Sequence, residues 1–203
     1  MKPLKGLIIS AILIISINSP TELVAAAKIS GPEFWWAIGH PFIAIKAKRI
    51  SKQAIRTTDS LEAAAILKDR SGGQLDAFKH AFWMASLSQQ IKPKKAYKLG
   101  VAHEKFNYKQ SRKGKGGGDK AASEMDLWNN KTGIDLGYIH RDVPKDILIN
   151  IVIQAVKEGK MKVIKKNIDG NSLDCDGQLI DKSTLKTWGN KRCLVPSNYD
   201  YNL

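Results

Sequence analysis

Three short strings in this 203-residue chain bring together side chains that can move protons or hold a cation. In Asp76-Ala77-Phe78-Lys79-His80 a carboxylate and an imidazole stand four residues apart. A helix through them sets both on one face, with Trp83 next along the stripe. A carboxylate so placed fixes the imidazole tautomer and raises its basicity. The second string is Ala102-His103-Glu104, whose two polar residues diverge by about 100° on a helix and so serve different atoms. It is not the HExxH zinc motif, since Asn107 occupies the place of the second histidine; His103 is left as a general base or as one ligand of a site built from several helices. The third is Asp126-Leu127-Trp128-Asn129-Asn130, in which Asp126, Asn129, Asn130 and Gly133 share one helical face.

Each string has a structural reading beside the functional one. His80 fits a core-edge histidine paired with Asp76, His103-Glu104 fits a solvated pair, and the asparagines fit a helix bonding to its neighbours. The combination says more than the parts. Three helices, each with one polar interruption beside an aromatic residue, can pack so that His80, His103, Glu104, Asp126 and Asn130 meet in one pocket as catalytic groups. Asp76, Trp83 and Asn129 then line the binding surface, joined by Lys113 and Lys115 from a basic loop. His80, His103, Glu104 and Asp126 are the candidate metal ligands. The histidines and carboxylates suit zinc, Asp126, Asn129 and Asn130 with Glu104 suit calcium or magnesium, and a metal-free site is the third option.

The elements that must position these residues are mainly helical. An aromatic stretch, Phe34-Trp35-Trp36 to His40-Pro41, leads in as a partly helical arm. Asp59 or Ser60 caps a helix ending near Leu67 or Lys68. Ser71-Gly72-Gly73 turns into a helix over 74–91, and Pro93 opens another reaching about Tyr108. The glycines and lysines of 111–120 form a loop that lacks the Gly-Lys-Ser/Thr ending of a phosphate loop. A fourth helix covers Ala122 to about Lys131, limited by Gly133 and Gly137. Pro144 starts a buried helix containing Ile147–Val156. Beyond Gly159, strand-like Met161–Ile164 and the turn dipeptides Asp169-Gly170 and Asp176-Gly177 give a small β appendage. The expected architecture is a helical bundle-like domain over 28–158 with a C-terminal β-hairpin appendage over 159–203.

The string Asp76–Trp83, then Ala102-His103-Glu104, then Met125–Asn130 with Gly133, resembles a bacterial domain family of unknown function found in exported proteins and at the ends of toxin-like polypeptides. That resemblance implies a helical domain with a hydrolase-like site. A looser similarity is to secreted prokaryotic phospholipase A2, through Lys79-His80-Ala81-Phe82-Trp83. There Ala81 stands where that family carries the acidic residue that holds calcium, and its cysteine framework is missing.

Charge and address narrow the function. The chain holds 33 Lys and Arg against 19 Asp and Glu, for +14. Residues 92–120 alone carry ten basic and two acidic side chains, beside one of the candidate motifs. Acidic partners follow: nucleic acid, a membrane surface, lipopolysaccharide or wall polymer. Lys2 and Lys5, the apolar run Gly6–Ile17 and the small residues Ala25-Ala26-Ala27 read as a signal peptide over 1–27. In an oxidising compartment Cys175 and Cys193 are expected to pair. The leading expectation is a secreted, toxin-like hydrolase acting on a phospholipid or nucleic-acid phosphoester. The alternative is an exported binding module without turnover.

Overall fold

The computed structural model describes residues 31–115 and 118–200, so the expected signal peptide lies outside the described residues. Six α-helices precede a small antiparallel strand pair: α1 (Gly31–Ile38), α2 (Pro41–Ala63), α3 (Gln74–Ser88), α4 (Pro93–Ser111), α5 (Lys120–Ile139), α6 (Lys145–Lys157), β1 (Lys162–Ile164) and β2 (Leu194–Pro196). The mainly helical class expected from the sequence is what the chain adopts.

Helix α3 is the axis of the molecule. Its sequence, QLDAFKHAFWMASLS, is apolar on nearly every side, as suits a helix surrounded by others. Phe78 and Phe82 stack at 5.4 Å between ring centroids, against Leu148, Val152 and Val156 of α6 and Ala54 and Leu61 of α2. On its other flank Met84 and Leu87 meet Trp36 of α1, Ile50 of α2, Leu99 of α4 and Ile134 of α5. At about 25 cal/mol per Å² of apolar area removed from water, these two clusters supply the main drive to fold.

Two helices differ from expectation. The helix expected to end near Lys131 runs on to Ile139, straight through Gly133 and Gly137. Both glycines lie where α5 crosses α3, and a Cβ at either would collide with the carbonyl of Ala81 or Ala85. The close approach requires glycine there, and the packing it permits outweighs a helix-propensity cost of about 1 kcal/mol per glycine. The helix expected to begin at Asp59 or Ser60 is instead the end of α2, which starts at Pro41. The hydroxyls of Thr58 and Ser60 donate to carbonyls one turn back, Ala54 and Arg56, rather than capping a new helix. Pro41 presets the first turn, and Ala47, Ile50, Ala54 and Leu61 bury one stripe along the helix.

β1 pairs with β2 in the register Lys162–Pro196, Val163–Val195 and Ile164–Leu194. The residues between them include the Asp169-Gly170 and Asp176-Gly177 turns, and a Cys175–Cys193 disulfide closes part of this excursion. The C-terminal segment is fastened to the helices. Asn129 accepts from the Lys162 N–H and donates to the Lys162 carbonyl, at 2.8 and 2.9 Å. Asp119, the N-cap of α5, accepts from Ala122 N–H and from Arg192 and Asn190 in the tail.

Candidate functional site

Because α3 and α5 touch backbone to backbone, the first turns of α3 and α5 face each other with α4 alongside. Asp76 and His80 project from α3, His103 and Glu104 from α4, and Ser123 and Asp126 from α5, all around one solvent-open cavity of about 300 Å³. Asp76 accepts from Lys79 Nζ at 2.6 Å through Oδ1 and from the Gly72 N–H at 2.9 Å through Oδ2. His80 Nε2 lies between two carboxylates, 3.4 Å from Asp126 Oδ1 and 3.7 Å from Asp76 Oδ1. Glu104 accepts from Ser123 Oγ at 2.8 Å, while His103 Nδ1 donates to Glu33 Oε1 of α1 at 2.6 Å. The two imidazole rings stand 6.3 Å apart, and Trp83 meets His103 edge-on at 5.8 Å. Lys79, His80 and His103 also border a second cavity of about 380 Å³, where the other walls include Trp83, Ala54 and Ile55.

This crowding sets the protonation states. Burial, then the repulsion of Asp76, pushes the Asp126 carboxyl up to about 8. Burial and then Asp126 likewise raise Glu104. Desolvation also works against ionising Asp76, but the charge of Lys79 and the hydrogen bonds from Lys79 and the Gly72 N–H prevail and hold it below the ordinary carboxylate range. His80 is driven down to about 4 by burial and by Lys79, so near neutrality its imidazole is uncharged. Burial opposes the charged form of His103, yet its hydrogen bond and charge pairing with Glu33 win, and its pKa rises above 6.5.

The cavity therefore gathers His80, His103, Glu104, Asp126 and Asp76. It does not gather every residue singled out from the sequence. Asn129 is occupied with the backbone of β1. Asn130 is buried beside Gly100, and its amide has no hydrogen-bond partner among the described residues. Lys113 and Lys115 are exposed in the loop after α4 and do not line the cavity. The tightest ligand cluster among the described residues is Asp76, His80 and Asp126 rather than one including His103 or Glu104.

Sequence reasoning missed Glu33, Ser123 and Arg192, all of which contact or line this site. Glu33 carried a signal, as the one acidic residue between Leu23 and Thr58, set into an apolar aromatic stretch. Ser123 carried another, three residues before Asp126 on the same face of α5. Arg192 lies more than sixty residues further on and nothing local marks it.

No curated protein and no solved structure matches the chain. A family model described as a domain of unknown function (DUF6973) matches residues 34–160. That span contains α2 to α6 and every histidine and carboxylate that lines the cavity of about 300 Å³, and the protein belongs to this family.

Proposed function

We propose that the protein is a secreted hydrolase that cleaves a phosphoester in an anionic substrate, with His103 as the proton-transfer group. One observation carries the reading: titratable side chains from three helices meet around a cavity open to solvent, and Glu33 from a fourth bonds one of them, His103. Burying them for structural reasons alone would cost several kcal/mol in desolvation. Glu33 holds His103 Nδ1–H, which leaves Nε2 to take a proton from water. The water oxygen attacks phosphorus, the bond from phosphorus to the alcohol oxygen breaks, and the proton passes to the departing oxygen. The products are an alcohol and a phosphate with one ester bond fewer.

Of the two substrate classes, the surroundings favour a phospholipid over a nucleic acid. The second cavity offers Trp83 and Ile55 beside the same histidines. Phe42 and Ile45 on α2 and Trp35 on α1 are exposed nearby in sequence to Glu33 and Ser51 at its rim. The disulfide fits an oxidising compartment, and export with a degradative activity suits a toxin-like role. Among the described residues no helix is long and apolar enough to cross a membrane.

The test is product release from anionic phospholipid vesicles, zwitterionic vesicles, DNA and RNA. Anionic vesicles should be cleaved, and His103→Ala should lower turnover by about 10²–10⁴-fold while the fold, read from circular dichroism, is kept. Cleavage of DNA or RNA alone would move the substrate to nucleic acid. Binding that survives His103→Ala, with no turnover on any substrate, would replace the hydrolase by an exported binding module.

A further inference from the structure

His80 Nε2 stands too far from both of its carboxylate neighbours to be hydrogen-bonded to either. At 3.4 Å from Asp126 Oδ1 and 3.7 Å from Asp76 Oδ1, it lies beyond the roughly 2.7–3.2 Å of an N–H···O bond. Donors held about 2.0–2.2 Å from a tetrahedral ion stand about 3.3–3.6 Å from one another. The shorter separation falls on the edge of such a tetrahedral coordination polyhedron and the longer lies just beyond it. One donor atom from each of the three residues lies within 4.8 Å of the other two.

A second observation points the same way. Asp126 Oδ1 is buried and has no hydrogen-bond partner among the described residues, on a residue only 8% exposed. Asp76 is better provided for, since its Oδ2 accepts from the Gly72 N–H. That bond orients Asp76 so that Oδ1 turns toward His80, as an outer hydrogen bond orients a ligand. All three residues also line the open cavity, which leaves room for water or substrate at further coordination positions.

We propose that Asp76, His80 and Asp126 bind one divalent cation, zinc or manganese, whose remaining positions open into the cavity. Calcium fits less well, because it takes about 6–8 oxygen ligands and this set offers three donors, one of them an imidazole nitrogen. The Nε2 lone pair faces the ion and the ring proton sits on Nδ1. Lys79 Nζ, at 2.6 Å from Asp76 Oδ1, is the built-in competitor: its ammonium neutralises Asp76 where the ion would do so. Its side chain is about a third exposed and can withdraw to solvent. The inference rests on the hydrolase reading only for its place, since it names the cation of that same site.

The experiment uses the purified, untagged, disulfide-bonded protein, dialysed against chelator and titrated with zinc and with manganese by calorimetry, with melting followed in parallel. One ion per chain and a raised melting temperature are expected. Asp126→Asn should weaken binding by at least about tenfold. Should that variant not fold, Asp76→Asn serves, because Asp76 is nearer the surface. Lys79→Met should tighten binding several-fold by removing the competitor, and His140→Ala, away from the cavity, should leave it unchanged. No saturable one-to-one binding, or binding indifferent to the carboxylate variants, overturns the cation site. Turnover that persists in the chelator-treated protein, together with no saturable binding, would overturn the cation site and leave the hydrolase reading standing. An ion held by these residues with no turnover on any substrate would do the reverse.

Discussion

Glu33 and His103 lie 70 positions apart and meet in a 2.6 Å hydrogen bond, so the first helix completes a site whose other members come from α3, α4 and α5. The pairing raises the pKa of His103 above 6.5, which fixes the sign of a pH effect. A histidine whose folded pKa exceeds its unfolded value stabilises the fold fully below about 6.5 and loses that contribution as pH rises through the folded value. Glu33→Gln should therefore destabilise the protein more at pH 6 than at pH 9, read from urea midpoints at the two pH values. A midpoint difference that is flat with pH would mean that the pair contributes no linkage. For turnover the variant should lower kcat by about tenfold or more and move the acid limb of the profile to lower pH, because the imidazole then loses its proton more readily. His103 itself was legible in the sequence, whereas its partner was not. Helical spacing reveals pairs on one face of one helix, and Glu33 reaches His103 only through the docking of α1 on α4.

The crossing of α3 and α5 carries the geometry of the site, because it sets Asp126 opposite His80. Gly133→Ala would drive a methyl group into the Ala81 carbonyl and push the helices apart. A loss of about 2–3 kcal/mol is expected from urea unfolding, as for overpacked cores. Asn129→Ala removes both side-chain bonds to the Lys162 backbone and strands its buried groups, for a further loss of about 2–4 kcal/mol. A Gly133→Ala protein as stable as the wild type would show that the two backbones are not in contact. The same crossing explains what sequence could and could not say about the elements. The helices over 74–91, 93–108 and 147–156 announced themselves through apolar periodicity and proline starts, and α3, α4 and α6 lie there. Locally, Gly133 and Gly137 read as a helix end and Asp59-Ser60 as a helix start. In both cases tertiary contact overrode a local signal: α5 needed its glycines to reach α3, and α2 kept Thr58 and Ser60 inside by bonding their hydroxyls one turn back. The spacing of Asp126, Asn129 and Asn130 was right, but their common face divides among three neighbours, the cavity, β1 and α4.

Across the whole molecule, charge and covalent closure act over longer distances than any single contact. The ten basic residues of 92–120 run along α4 and into the loop beside it, and Asn107 and Gly118 from this stretch line the cavity. On the proposed reading an anionic substrate approaching that mouth would meet a positive field before His80 or His103, and such steering would fade as salt shortens the Debye length from about 10 Å at 0.1 M to about 3 Å at 1 M. The Cys175–Cys193 bridge helps to hold the tail that carries Arg192, which bonds to Asp119 at the start of α5. Opening that loop should cost about 3 kcal/mol by the chain-entropy argument and should loosen the cavity wall formed by Arg192. The two effects separate experimentally. A Lys113→Gln, Lys115→Gln double variant keeps the fold and the cavity wall, so it should raise KM for anionic vesicles several-fold at low salt while leaving kcat and the melting temperature alone. At high salt the wild type should fall to meet it. Reduction of the disulfide should instead lower the melting temperature at every salt concentration. If the lysine variant lost kcat rather than affinity, the loop would be part of the reacting centre and not its electrostatic approach.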